Sequence, residues 1–258
     1  MFKTVVLFSI VGFSLISFIP LGLVSFLLSL FGLGRPMRFI VYKTAQAWSR
    51  FLIWGTGCSL SAEGMEHIPR KGRLCIAANH QSIFDILLAL ALAGRPLGFI
   101  AKKELALIPL LNIWILLLGG LFIDRKNTRR ALTTINKGIE RIRKGDAMIV
   151  FPEGTRSKGR GLLPFKPGSL KLATRAGALV VPMAIAGSYD VFEKTYRVRA
   201  APVRVVFSPA IDTAALSAEG RKRNLADQVC RVIAEALGEK LPDAPDGALA
   251  DKKAPPDL

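Results

Sequence analysis

Leu74-Cys75-Ile76-Ala77-Ala78, then Asn79-His80-Gln81-Ser82, then Ile83-Phe84-Asp85-Ile86-Leu87-Leu88 is the stretch on which the reading of this chain turns. A short, wholly apolar run gives way to a polar tetrapeptide and then to a longer apolar segment ending at Ala93. That order predicts a buried strand, a loop and a helix. The same grammar recurs downstream. Apolar runs at Leu97–Ala101, Gly120–Ile123, Met148–Phe151, Leu179–Ala186 and Val203–Ser208 predict further strands. Helical patterns fall between and after them, at Leu105–Leu118, Thr128–Lys144, Gly168–Ala176 and Ala218–Leu237. Alternation of this kind defines an α/β fold: a mixed, largely parallel sheet flanked by helices. In such sheets, chemistry gathers in the loops beyond the carboxyl ends of the strands.

Upstream of that domain the chain changes character. Thr4 to Gly34 carries no charge, and about 20 apolar residues suffice to cross a bilayer. Arg35, Pro36 and Arg38 follow with no small-residue cleavage site, so the segment reads as an uncleaved, membrane-embedded helical anchor. Pro20 and Gly22 interrupt it. Two geometries fit: one kinked span, or two shorter helices dipping into one leaflet. The basic flank puts its C-terminal end in the cytoplasm in either case. Residues 38–54 alternate basic with apolar and aromatic side chains and read as an interfacial helix in preference to an ordinary helix packed on the globular core, since no acidic residue precedes Glu63 to balance their charge. The expected organisation is therefore an anchor with interfacial helix over 1–59, a catalytic domain over 60–241, and a disordered Ala-, Pro- and Asp-rich tail over 242–258.

The net charge is +17, from 36 basic and 19 acidic residues. Between Arg95 and Arg175 the sequence holds 17 basic and 5 acidic residues, more than anchoring to a membrane requires. A polyanionic partner is implied: nucleic acid, an anionic membrane or a phosphate-bearing substrate. No helix-turn-helix, zinc-finger or RNP-like pattern supports nucleic acid. Three cysteines without paired spacing argue against a disulfide framework or a zinc site.

Four loops carry candidate chemistry. In the first, His80 and Asp85 are five residues apart, which on one helix would set them about 140° apart around the axis. They can cooperate only if His80 lies in the loop and Asp85 in the first helical turn, with Ser82 as the N-cap. Ser82-x-x-Asp85 is also a capping pattern, so an orienting role and a capping role for Asp85 both fit. The second loop is Phe151-Pro152-Glu153-Gly154-Thr155-Arg156-Ser157, where Gly154 permits a tight turn and Arg156 offers a planar fork for phosphate. Asp124-Arg125 and Lys102-Lys103 end two further strands with basic groups. Singly each could be solvated charge; together they converge on a phosphate site near His80.

At these residues the sequence resembles the 1-acyl-sn-glycerol-3-phosphate acyltransferase family. Asn79–Asp85 matches its first block (N-H-x-S-x-x-D), Gly119–Arg125 resembles the second, Phe151–Ser157 the third and Val180–Gly187 the fourth; Ala101–Leu105 matches a further feature between the first two. The resemblance covers roughly Glu63 to Phe207. It implies that His80 is the general base and Asp85 its orienting carboxylate. It also implies that Lys102, Lys103 and Arg125 help bind the acceptor's phosphate, with Glu153, Gly154, Thr155 and Arg156 completing the acceptor site. The implied reaction moves a fatty acyl group from acyl-coenzyme A or acyl carrier protein, as cosubstrate, to the free hydroxyl of lysophosphatidate, giving phosphatidate in phospholipid biosynthesis. No further cofactor, metal or nucleic acid is expected, and the expected location is the cytoplasmic face of the inner membrane, among membrane lipids. No G-x-S-x-G motif is present, consistent with direct attack by the acceptor. The alternatives are the same chemistry on glycerol 3-phosphate, another lysophospholipid or a lyso-aminolipid; a non-catalytic protein binding anionic lipid; and an esterase or thioesterase that uses the dyad on water.

Overall fold

The computed structural model describes residues 1–166, 168–218 and 225–242. Its strands are β1 (Ser59–Glu63), β2 (Leu74–Ala78), β3 (Leu97–Lys102), β4 (Leu121–Ile123), β5 (Ala147–Val150), β6 (Leu179–Ala186), β7 (Pro202–Phe207) and β8 (Ile211–Asp212). The helices are α1 (Phe2–Ser17), α2 (Ile19–Leu30), α3 (Gly34–Thr56), α4 (Phe84–Leu92), α5 (Leu111–Leu117), α6 (Thr128–Arg143), α7 (Lys171–Ala176), α8 (Ser188–Val191), α9 (Thr213–Ala218) and α10 (Leu225–Leu237). The predicted helix over Ala218–Leu237 is therefore seen only in part, and residues 219–224 and the tail beyond 242 lie outside the described residues.

The sheet order is β1-β7-β6-β2-β5-β3-β4, with β8 also on β6. Five neighbours, β6-β2-β5-β3-β4, are parallel, and β7 and β8 run antiparallel to β6. The sheet is thus mixed and largely parallel, as the alternation of elements predicts. β7 and β8 occupy successive stretches of the same edge of β6, joined by a Ser208 N–H that donates to Pro182 O at 3.0 Å. Pro209, which has no N–H to give, ends the first stretch.

Strand β2 is buried at every position because both faces of the sheet are covered. Leu74, Ile76 and Ala78 face a core shared with α3 and α4, whereas Cys75 and Ala77 face one shared with α6, α7 and α10. The period-two alternation of a strand sends its side chains to the two faces in turn. After β2 the chain crosses to β3, beyond β5; after β5 it crosses to β6, beyond β2. The adjacent carboxyl ends of β2 and β5 therefore bound the crevice where such sheets bind ligands.

Close approach of backbones narrows one choice sharply. A Cβ on Gly98 of β3 would come within 2.4 Å of Gly119 O, in the turn that leads to β4. Gly98→Ala is expected to cost about 1–3 kcal/mol and to lower the unfolding temperature by several degrees in a thermal melt. An unchanged melting temperature would mean the turn yields freely.

Three expectations need correction. Leu105–Leu118 is not one helix. A 3-10 turn at Lys103–Leu107 is separated from α5 by Pro109, and Ile108 before it is extended at φ −87°, ψ 111°. α4 begins at Phe84, one residue after the predicted start, while Ser82 caps it as expected, its hydroxyl accepting the Phe84 N–H at 3.1 Å. Nor do all the basic residues of 38–54 await headgroups. Arg38 makes a bidentate pair with Asp146 (2.7 and 2.9 Å), and Arg50 donates to Ala91 O at the end of α4. Gln46 donates to the same carbonyl and Tyr42 to Leu90 O, so α3 caps α4 from the side. The outer face of α3 still exposes Phe39, Ile40, Phe51 and Trp54.

The N-terminal segment is helical on both sides of Phe18. Phe2–Leu30 is one helix kinked at Phe18, with Pro20 in the first turn beyond the kink, where its missing N–H costs nothing. By length and mean hydropathy (2.3) it is able to cross a membrane, and most of its surface is exposed. Trp114 of α5 donates to Leu15 O at 3.3 Å and stacks edge-on against Phe18, tying the kink to the sheet domain.

Candidate active site

The first loop folds around one carboxylate. Asp85, fully buried in the first turn of α4, accepts through Oδ2 from His80 Nδ1 (2.7 Å), Gln81 N (2.8 Å) and Ser82 N (2.9 Å). The capping and orienting readings are therefore one arrangement: the two backbone donors are helix-start amides, and the third donor is the imidazole. His80 lies in the loop, as the spacing requires. Its ring stacks on Phe151 at the end of β5, with centroids 4.1 Å apart and planes 24° apart. With Nδ1–H donated to Asp85, Nε2 on the other side of the ring is the basic nitrogen. The imidazole is partly open to solvent and the carboxylate is closed off.

The His80 peptide is gripped from both sides by the third block. Its N–H donates to Glu153 Oε1 at 2.9 Å, and its carbonyl accepts from Ser157 N at 2.7 Å. Glu153 is buried, and that burial pushes its carboxyl up from 4.5 to about 8; the nearby charges of Asp85 and Glu239 act in the same sense, and the His80 N–H opposes them. Its other oxygen has no hydrogen-bond partner among the described residues. Asn79 completes the frame by clamping β6, donating to Ile185 O (2.9 Å) and accepting from Ile185 N (2.7 Å).

The cationic candidates gather at the same carboxyl edge with different degrees of freedom. Lys102 is exposed at the end of β3. Lys103 is paired with Asp124 at 2.8 Å, and Arg130 of α6 lies 3.9 Å from the same carboxylate. Lys103 and Arg130 hold the Asp124 carboxyl below its usual range, the Lys103 hydrogen bond most of all. Arg125 donates to Gly154 O, which links the second block to the third. Gly154 turns at φ +71°, and Thr155 beside it is exposed. Arg156 is ion-paired with Glu193, whose other oxygen accepts Ile83 N at 3.2 Å. His80, Asp85 and Glu153 thus form one hydrogen-bonded cluster. Arg125 and Arg156 border it, while Lys103 is engaged with Asp124. Arg95, counted among the central positive charges, is buried and donates to three carbonyls, Pro69, Gly72 and Gly145, away from this edge.

Several members of the site have contacts that the local sequence does not signal. Phe151 and Asn79 lie inside the motifs, but their partners, His80 in the loop after β2 and Ile185 in β6, are distant in sequence. Ser188 and Glu193 belong to or follow α8, a four-residue helix too short to leave a periodic pattern. Among the described residues, no group of three or more His, Cys, Asp or Glu side chains is arranged to hold a metal ion.

A mixed, largely parallel sheet covered on both faces carries a His–Asp pair and a basic rim at its carboxyl edge, and the chain is similar to acyltransferases in sequence and in fold. The Acyltransferase family model matches residues 59–186. The 1-acyl-sn-glycerol-3-phosphate acyltransferase of Borreliella burgdorferi is 30% identical over 197 residues, covering 76% of this chain and 77% of that protein. The enzyme of the same name from Limnanthes douglasii is 34% identical over 218 residues, covering 82% and 74%. Among solved structures, the 1-acyl-sn-glycerophosphate (LPA) acyltransferase, PlsC, from Thermotoga maritima superposes with a TM-score of 0.77 at 29% identity, covering 93% of this chain and 96% of that one. The chain belongs to the 1-acyl-sn-glycerol-3-phosphate acyltransferase family and is an acyltransferase of that type.

Proposed function

We propose that the protein transfers a fatty acyl group from a thioester, carried by coenzyme A or acyl carrier protein, to the free hydroxyl of lysophosphatidate, with His80 as general base. The observation that carries this reading is the 2.7 Å bond between His80 Nδ1 and Asp85 Oδ2, which fixes the tautomer and leaves Nε2 as the acceptor nitrogen. The acceptor hydroxyl gives its proton to Nε2 as its oxygen attacks the thioester carbonyl. When the tetrahedral adduct collapses, the carbon–sulfur bond breaks and the imidazolium returns the proton to the thiolate. Asp85 stabilises the imidazolium between those steps, in the manner of the carboxylate in a catalytic triad. The acceptor's phosphate meets Arg125, Arg156, Lys102 and Lys103, and Arg156 must exchange its partner Glu193 for phosphate as substrate enters. Glu153, Gly154 and Thr155 form the wall of that site. Apolar side chains exposed on α1 and α2 and at Leu107, Ile108, Ile113 and Leu116 support docking on the cytoplasmic face of the membrane, so that the acceptor's tail stays in the bilayer. The division into an anchor (1–59), a catalytic domain (60–241) and a tail (242–258) belongs to the same proposal, as does a place in phospholipid biosynthesis.

The test is acyl transfer in detergent micelles from labelled acyl-coenzyme A and from labelled acyl carrier protein to lysophosphatidate. Labelled phosphatidate is the expected product. Transfer only to glycerol 3-phosphate or another lysolipid would change the acceptor, and free fatty acid without acceptor would identify a hydrolase. Arg156→Lys is expected to raise the KM for lysophosphatidate about ten-fold with a smaller change in kcat, because an ammonium cannot reproduce the planar fork. An unaltered KM would remove Arg156 from the phosphate site.

A further inference from the structure

Asp85 has a fourth donor that lies outside all four sequence blocks. Ser188, the first residue of α8, is fully buried, and its hydroxyl donates to Asp85 Oδ1 at 2.5 Å. The next contact of that hydroxyl, Gln81 Oε1 at 3.4 Å, is an acceptor at the edge of hydrogen-bonding range. A hydroxyl has one proton to give, and the shorter bond takes it. The two carboxylate oxygens therefore have separate duties. Oδ2 receives His80 and two backbone amides, and Oδ1 receives Ser188. We propose that Ser188 is a positioning residue for acyl transfer, fixing the rotation of the Asp85 carboxylate so that Oδ2 stays aimed at His80 Nδ1.

The chain delivers Ser188 to that point by two devices. Asn79, next to His80, bonds both backbone groups of Ile185, so the end of β6 is registered against the His80 loop. Gly187 then turns the chain at φ +80°, where a Cβ would come within 2.1 Å of Pro202 O. Only glycine passes that point without moving β7. The fourth block thus ends in a turn whose product is the placement of Ser188 under the first turn of α4. Burial also excludes Ser188 as a nucleophile: its oxygen has no exposed surface and faces a carboxylate, so no acyl-enzyme forms there. Without the hydroxyl, Oδ1 would be a buried acceptor lacking a donor, and the carboxylate would be free to turn.

The proposal rests on His80 acting as base, and the test separates the two. Rates of acyl transfer from acyl-coenzyme A to lysophosphatidate are compared for wild type, His80→Ala, Ser188→Ala, Asp85→Ala and the double variant Ser188→Ala/Asp85→Ala, with melting temperatures alongside. Ser188→Ala is expected to lower kcat about ten- to a hundred-fold with little change in either KM. In the Asp85→Ala background, removing the hydroxyl is expected to change the rate by less than about two-fold, because its action passes through the missing carboxylate. If Ser188→Ala does not fold, Ser188→Cys, which fills the space with a weak donor, takes its place in both backgrounds. A wild-type kcat in the single variant, or the same fold loss in both backgrounds, overturns the proposal while a collapsed His80→Ala rate leaves the base intact. A wild-type rate in His80→Ala would overturn the base and the Ser188 proposal together.

Discussion

His80→Ala should lower kcat for acyl transfer on the order of 10²–10⁴-fold while leaving the KM for lysophosphatidate within a few-fold of wild type. In the proposed mechanism the imidazole takes the acceptor's proton, and its loss leaves water or nothing in that role. Binding should change little because the cations proposed to hold the phosphate lie on other loops, after β3, β4 and β5. Folding should survive too. The frame of the loop is made by the His80 backbone, through Glu153 and Ser157 N, and by Asp85 with Gln81 N and Ser82 N, none of which needs the ring. The Asp85→Ala variant provides the contrast: it also strips the acceptor from two buried backbone amides and from Ser188, so it should lose melting temperature as well as rate. Product formed by His80→Ala at the wild-type rate would sink the mechanism.

Glu153 is expected to distinguish a shape requirement from a charge requirement. Glu153→Ala removes the acceptor for His80 N–H and opens a cavity beneath the loop, so rate and stability should both fall, the rate about a hundred-fold or more. Glu153→Gln keeps an oxygen for that N–H and resembles the protonated acid, so it should retain most activity at pH 7. The pH dependence of stability follows from the raised carboxyl, about 8 against an ordinary 4.5. Between those values the folded protein holds a proton that the unfolded chain has released. Stability due to this group is present below pH 4.5, falls as pH climbs to about 8, and is level beyond, a change on the order of a few kcal/mol. Glu153→Gln has no such proton to lose. Thermal melts from pH 5 to pH 8 should therefore show the wild type declining relative to Glu153→Gln. Parallel curves would show that Glu153 is already ionised in the folded protein.

Much of this was legible in the order of residues. β2 and β6 fall at the predicted limits, and the other predicted strands lie within a residue or so, because strands buried on both faces read as unbroken apolar runs. α6 falls where its amphipathic pattern lies, with Asn127 accepting Arg130 N as a side-chain cap. β1 was missed for the converse reason. Its five residues, Ser59-Leu60-Ser61-Ala62-Glu63, pair only with β7 at the sheet margin, and just two apolar side chains face inward. β8 is two residues long and exists because the edge of β6 is unfinished beyond Pro209.

The candidate site divides along the same line. Sequence by itself determined the loops that carry chemistry, the strand-loop-helix setting of His80 and Asp85, and the family to which they belong, since local pattern and local spacing suffice for these. Only the tertiary structure decided which groups meet. Arg156 faces Glu193, Glu153 holds the His80 peptide rather than projecting freely, and Ser188 reaches Asp85 from 103 residues away. It also decided that Arg38 and Arg50 serve Asp146 and the end of α4 rather than an anionic surface. A charge in a sequence has no address for its partner. The crossing connections of β2 and β5 bring these loops together, and burial then forces each polar group to find the donor or acceptor that the fold has placed beside it.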